Sequence, residues 1–334
     1  MKFICIAALS LVSLLTGATT WAAGVTYTGT EGPGVGKHIV FVTGDEEYRS
    51  EEGMPQLAKI LAVHHGFTCT VLFAINKKTG EIDPETLDNI PGLEALDGAD
   101  LMVLFTRFRE LPDEQMKHIV DFANAGKPMI ALRTATHPFN YLKNLDSPYA
   151  KHTWNNPDAA FTGGFGRQIL GETWVSHYGH HGVESTRGEI APEMQDHPIL
   201  QGCDDIWGPT DVYGINSLTG DSQPLVRGIV LTGMNHDDPA QKEKTEKHPI
   251  AWIKTWTGDS GKTGRVFTTT MGASQDLLSE GLRRLLVNAT YWGVGLEDKI
   301  PARANVTVVG DYAPTPFGFS KHTTGMKPED FVLK

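Results

Sequence analysis

The sequence predicts an α/β protein built around a mostly parallel central sheet, and three observations predict it. Short continuous apolar runs, in "KHIVFVTG", "FTCTVLFA", "ADLMVLFT" and "PMIALR", suit strands covered on both faces. They alternate with helical patterns, as parallel pairing requires. They also end in polar tips, "TGDEEYRSEE", "TRFRE", "RTATHPF" and, late in the chain, "TTTMGAS". Open α/β sheets collect ligands at such carboxyl edges.

Taken in order, residues 1–23 carry a basic Lys2, an apolar run from Phe3 to Leu15 and small residues at Ala22-Ala23. That is the pattern of a secretory signal peptide and predicts a periplasmic or secreted protein. The run is short for the ~30 Å of hydrocarbon in a bilayer, so no membrane insertion is expected after its removal. In "SEEGMPQLAKILAVHHG", Met54, Leu57, Ala58, Leu61 and Ala62 fall at helical spacing, with Ser50 as the expected N-cap and Gly66 as the stop. "LPDEQMKHIVDFANAGKP" predicts a second helix: Pro112 suits its first turn, and Met116, Ile119, Val120 and Ala123 form one apolar stripe. From 140 to 210 the periodicity fails, which predicts a long inserted loop region or lid. "PLVRGIVLTG", "HPIAWIKTW" and "GRVFTTTMG" then read as strands. In "DLLSEGLRRLLVNATYWGVG", Leu278, Leu282, Leu285, Leu286 and Ala289 share a helix face. Residues 296–334, rich in Pro and Gly, predict an extended C-terminal arm.

The charge balance, 40 acidic against 29 basic residues for a net −11, keeps the chain soluble and repels phosphate backbones, so nucleic acid is excluded as a partner. Cys5 leaves with the signal peptide. Cys69 and Cys203 make neither a disulfide framework nor a zinc-finger spacing, and nothing in the sequence calls for a bridge between them.

The strand tips supply the candidate site. Asp45, Glu46 and Glu47 are either a solvated turn or a group for acid/base work or metal ligation, since adjacent carboxylates push their pKa values apart. Arg107 and Arg109 are either a surface pair or anchors for a substrate oxygen or for the Asp45–Glu47 group. Arg133 directly continues the apolar "MIAL", so its head must emerge at the tip or meet an acid, and His137 faces the same crevice. The run "WVSHYGHHGVEST" holds His177, His180 and His181. Gly179 and Gly182 argue against a helix there, so the run lacks the force of a metal-binding H-E-x-x-H helix. One imidazole is expected to enter the crevice as acid or base, with another serving structure. "GPTDVYG" adds Asp211 and Tyr213. Trp154, Trp174 and Trp207 are either core residues or sugar-stacking surfaces.

"IALRTATHPF", "TDVYG" and "GRVFTTTMG" through "LRRLLVNATYWGVG" resemble the ThuA-like (trehalose utilisation) family, from about Lys37 to Gly295. "GGFGRQILGETWVSHYGHHGVESTRG" is similar to a secreted subgroup. The resemblance implies a class I glutamine amidotransferase-like fold, that is, a flavodoxin-like three-layer sandwich. It also implies a role in carbohydrate metabolism linked to 3-keto sugars, and a divalent metal in some members. Glutamine amidotransferases place their nucleophilic cysteine five positions beyond a proline. Here that position, counted from Pro128, is Arg133, and a guanidinium is no nucleophile, so glutaminase chemistry is excluded. The chain departs from many relatives in lacking a histidine near this elbow and in having Gly272-Ala273 where they have Gly-His. Asp211 and Tyr213 match the family's acid-x-Tyr element.

The expectation is therefore a signal peptide (1–23), one domain (37–295, with an insertion over 140–210) and the arm. Arg133, His137, His180, His181, Asp211 and Tyr213 are expected to be catalytic, with Asp45, Glu46, Glu47, Tyr48 and Arg107 contacting substrate. The expected partner is a small-molecule carbohydrate, an oxidised (3-keto) sugar or glycoside cleaved by elimination or hydrolysis. The alternative is a non-catalytic carbohydrate-binding or complex-forming protein of the same fold. A divalent metal and an oligomer are both compatible with the sequence.

Overall fold

In the computed structural model, which describes residues 24–333, five strands pair in parallel: β2 (His38–Gly44), β3 (Thr68–Leu72), β4 (Leu101–Thr106), β5 (Met129–Leu132) and β12 (Thr263–Thr269), in the order β3-β2-β4-β5-β12. The predicted signal peptide lies outside the described residues. Side chains of alternate residues separate two cores. Ile39, Phe41, Val103, Phe105, Ile130 and Leu132 join α1 (Ser50–His65) and α3 (Glu280–Gly293) on one face. Val40, Val42, Met102, Leu104, Met129 and Ala131 join α2 (Asp113–Asn124) on the other. Burial on both faces is why these strands read as unbroken apolar runs.

The sheet is not mostly parallel. Its ten strands continue antiparallel through β11 (Pro249–Thr257), β10 (Gln223–Leu231), β7 (Ser185–Ile190) and β8 (Trp207–Gly208), and β1 (Gly24–Thr28) adds antiparallel to β3 at the opposite edge. The link between β11 and β12 explains part of this. Thr257 pairs with Thr263 across a short loop, and a parallel crossover needs a dozen residues or more. The 140–210 region is likewise more than a loop, since β7 and β8 extend the sheet and β6 (Ser176–His177) pairs with β9 (Tyr213–Gly214) in a separate two-stranded ribbon. β7 is buried only at its first two positions, so it carries no clear alternation.

Ser50 begins α1 rather than capping it. Its Oγ accepts the Gly44 and Asp45 N–H groups, each at 3.2 Å, while Arg49 takes the cap position in the left-handed region at φ 59°. Residues 296–333 contain two short 3-10 turns and otherwise no regular element. They run back across the β1–α1 side, where His65 Nε2 lies 2.7 Å from Asn305 O and Tyr27 OH donates to Phe331 O at 2.7 Å. Cys69 and Cys203 are buried and unbridged. Among the described residues no helix is long and apolar enough to cross a membrane.

Candidate active site

β5 delivers Arg133 into a 3-10 turn over Arg133–Thr136, with its own backbone at φ 44°. A non-glycine residue held there costs on the order of 1–3 kcal/mol, and such strain persists only where the surroundings over-determine it. They do. Arg133 Nη1 donates to Asp211 O and to Thr270 O, each at 2.7 Å. Nη2 donates to Asp211 Oδ1 at 2.8 Å and to Tyr48 OH at 3.2 Å. The guanidinium also lies against the rings of Tyr213 (3.9 Å) and Tyr48 (4.6 Å). One side chain thus ties together the tips of β2, β5 and β12 and the segment before β9. Its exposure is 0 %, so it is placed to position the site from behind. Tyr48 and Tyr213, both buried against it, frame the same spot.

Asp211 is the hub. Oδ1 faces Arg133 and His181 Nδ1 (3.2 Å), and Oδ2 takes the Nδ1 hydrogen of His177 at 2.6 Å. Burial would raise its pKa, but Arg133 and then the two histidines outweigh that and hold the carboxyl well below the usual carboxylate range. An ionised acceptor fixes the His177 tautomer: Nδ1 carries the hydrogen, and in the neutral ring Nε2 keeps its lone pair. His181 differs. Hydrogen bonds to Asp211 and then to Glu47, whose Oε1 lies 3.1 Å from Nε2, push its pKa up to about 9. The two imidazoles stand with ring centroids 5.0 Å apart and keep about a third of their side chains exposed. The site therefore presents one imidazole oriented through its Nδ1 hydrogen beside an imidazolium, both referred to one carboxylate.

The β6–β9 ribbon builds this pair, because His177 lies opposite Tyr213 in its register. His180, chosen from the sequence, is exposed and is engaged through its backbone: its N–H donates to Glu184 Oε2 at 2.7 Å, and its carbonyl accepts from the N–H groups of Val183 (3.0 Å) and Glu184 (2.9 Å). It does not join the cluster, and His177 takes the place expected for it. In a looped run successive side chains diverge, and only the partner strand decides which one points inward.

The acidic tip divides its labour. Asp45 is fully buried and accepts from the backbone N–H of Glu47 (2.8 Å) and Tyr48 and from Thr134 Oγ1, so it shapes the turn instead of meeting a substrate. Glu46 is bracketed by Arg107 and by the buried Arg109, the latter at 2.6 Å. Only Glu47 reaches the histidines, and it lies 3.9 Å from Arg107 Nε on its other side.

His137 is buried under Phe108 (5.0 Å between centroids), Trp174 (5.8 Å) and Tyr213 (6.4 Å). Burial, then Arg107 and Arg133, lower its pKa well below the ordinary histidine value, so it is neutral. Thr136 Oγ1 gives its hydrogen to Arg133 O (3.2 Å) and so accepts from His137 Nδ1 at 3.1 Å. Around this floor runs an aromatic rim: Phe108, Trp154 and Trp174 in successive contact at 5.7 and 5.9 Å, then His177 at 5.8 Å.

His177, His181 and Asp211 also form the one group among the described residues with donor atoms close enough, within 4.8 Å, to hold a metal ion. Their types match a three-ligand zinc site. The geometry does not: ligands at about 2.0–2.2 Å from a tetrahedral ion stand over 3 Å apart. Here His177 and Asp211 are in hydrogen-bond contact at 2.6 Å, and Arg133 occupies the other carboxylate oxygen. The cluster as folded holds protons.

Asp276 went unnoticed in the sequence. Its carboxylate accepts from Gly272 N (2.8 Å), Ala273 N (3.1 Å) and Thr210 Oγ1 (2.7 Å), fastening the tip after β12 to the segment that carries Asp211. Two of its partners lie within four residues of it, and the third, Thr210, comes from a distant stretch that the sequence does not connect to it.

A family model for trehalose utilisation (ThuA) matches residues 38–293. No curated protein matches the chain. Among solved structures, a putative ThuA-like protein from Parabacteroides merdae ATCC 43184 is 14 % identical, with a TM-score of 0.47 over 85 % of this chain and 98 % of its own. A second, from Bacteroides uniformis ATCC 8492, is 13 % identical, with a TM-score of 0.46 over 79 % and 92 %.

Proposed function

Because the chain belongs to the ThuA trehalose-utilisation family, we propose that it is an enzyme of the periplasm or cell exterior that cleaves oxidised (3-keto) glycosides on a flavodoxin-like scaffold. The observation that carries the reading is the shared carboxylate of Asp211, with the His177 ring on one oxygen and the His181 ring, raised in pKa, on the other.

A sugar carbonyl acidifies the neighbouring C–H. His177 Nε2 removes that proton, and the C–H electron pair moves into the new C=C bond while charge gathers on the carbonyl oxygen. His181, already cationic and held by Asp211 and Glu47, faces that charge without reorganisation. The electrons then return to expel the aglycone, breaking the glycosidic C–O bond, and its oxygen takes up a proton from water. Asp211 keeps His177 in the required tautomer, and Arg133 keeps Asp211 in place. The neutral His137 and the aromatic rim offer an apolar, water-poor wall of the kind that sugar rings pack against.

The test is release of p-nitrophenol from p-nitrophenyl 3-keto-β-glucoside, with the unoxidised glucoside as control. Turnover of the keto form alone is expected, and its loss in His177→Gln. Binding of both without release would instead establish a carbohydrate-binding protein, and absence of binding would remove the sugar reading altogether.

A further inference from the structure

The family match stops at residue 293, yet the C-terminal arm returns to the site. Gly318 N–H donates to Glu47 O at 2.8 Å, and Gly318 O accepts from Arg49 Nη2. Just before it, Thr315 donates from its N–H (2.8 Å) and Oγ1 (2.6 Å) to Glu52. The arm is thus bolted to the loop and helix start that carry Glu47. Gly318 sits at φ 139°, a conformation that L side chains rarely adopt, so the chain is specified to turn here.

The turn points two rings at the site. Phe317 packs on Tyr48 and on His181, each at 5.5 Å between centroids. Phe319 lies 4.9 Å from the Arg107 guanidinium, which also meets Phe108 at 4.4 Å. The rim from Phe108 round to His181 is closed by the arm, and Glu47 spans the gap between His181 and Arg107 within it. Phe317 is nearly buried at 9 %, as a backing residue should be. Phe319 keeps 51 % of its surface exposed, a large apolar ring beside a fixed cation.

We propose that residues 317–319 form a wall of the substrate site, with Phe319 as a stacking platform for a sugar ring and Phe317 holding His181 in register. This rests on the carbohydrate reading above. A pyranose presents axial C–H groups to the negative face of an aromatic ring and hydroxyls to an adjacent cation. Phe319 and Arg107 supply that combination. Phe319 is a specificity-determining residue, and its loss weakens binding while leaving the bond-breaking step intact.

The experiment uses full-length protein, wild type and Phe319→Ala, Phe319→Tyr and, on the far end of α1, Val63→Ala, with p-nitrophenyl 3-keto-β-glucoside as substrate. The thermal midpoint of each is measured. Phe319→Ala is expected to raise KM about three- to tenfold, the range of one aromatic contact, with kcat within about twofold and the midpoint unchanged. Phe319→Tyr restores KM, and Val63→Ala changes nothing. An unchanged KM in Phe319→Ala, with the wild type active, overturns the wall and leaves the proposed function standing. A parallel fall in kcat and midpoint shows a structural prop only and also overturns it. A wild type that neither binds nor cleaves the keto-glucoside overturns both.

Discussion

Arg133 and Asp211 meet at 2.8 Å with both side chains sealed from solvent, and through Arg133 the tips of β2, β5 and β12 are fastened to the segment before β9. Removing one partner of a buried pair strands the other charge, which typically costs about 3–5 kcal/mol. Asp211→Asn keeps the shape and removes the charge, so a stability loss of that order is expected in urea denaturation. The same substitution takes the ionised acceptor from His177, so turnover is expected to fall by roughly 10²–10⁴ in the folded variant. A denaturation midpoint equal to the wild type's would show that the tips are held by other contacts.

His181 makes a pH prediction with a definite sign. Its folded pKa, pushed up to about 9 by bonds to Asp211 and Glu47, exceeds the unfolded value near 6.5. The stabilisation is therefore fully present below about pH 6.5 and is lost as pH rises through about 9. The ring is partly exposed, so solvent screening keeps the effect modest. NMR titration should place the His181 midpoint well above the ordinary histidine value, and kcat should decline on the basic side with the same midpoint. His181→Gln should remove that basic limb. A midpoint near 6.5 would contradict the bonding described.

The parallel strands were legible because burial on both faces leaves a plain mark, a continuous apolar run ended by a polar tip, and Glu47, Arg107 and Arg133 were found at those tips. The choice of His177 over His180 was not legible. It depends on pairing Ser176 and His177 with Gly214 and Tyr213, a contact between distant segments too short to show any period. The same holds for Phe317, which lies in an arm with no strand and only two short 3-10 turns, and for Asp276, whose bond to Thr210 joins distant segments. Strand direction was also hidden: the apolar content of β10 and β11 resembles that of a parallel strand, and only the short loop before β12 reveals the reversal.

Metal dependence follows from the 2.6 Å contact between His177 and Asp211. With that hydrogen bond made and Arg133 on the other oxygen, prolonged treatment with a chelator is expected to leave both the thermal midpoint and the turnover unchanged. Elemental analysis after dialysis should find less than stoichiometric zinc. A tightly held equivalent of metal, or a midpoint that drops on chelation, would mean that the carboxylate and imidazole part to admit an ion.

Glu51 yields a prediction away from the chemistry. Its carboxylate is buried and neither oxygen has a hydrogen-bond partner, and burial, against a weaker pull from Arg49, pushes its pKa up to about 8. In the unfolded chain the group ionises near 4.5. Between those values the unfolded state is charged and the folded state protonated, so stability falls as pH rises from about 4.5 to 8 and then levels. Glu51→Gln mimics the protonated form at every pH. It should match the wild type near pH 4 and exceed it at pH 8, by on the order of 2–4 kcal/mol. Denaturant midpoints at the two pH values check this. A variant no more stable than wild type at pH 8 would show that Arg49 neutralises the buried charge in full.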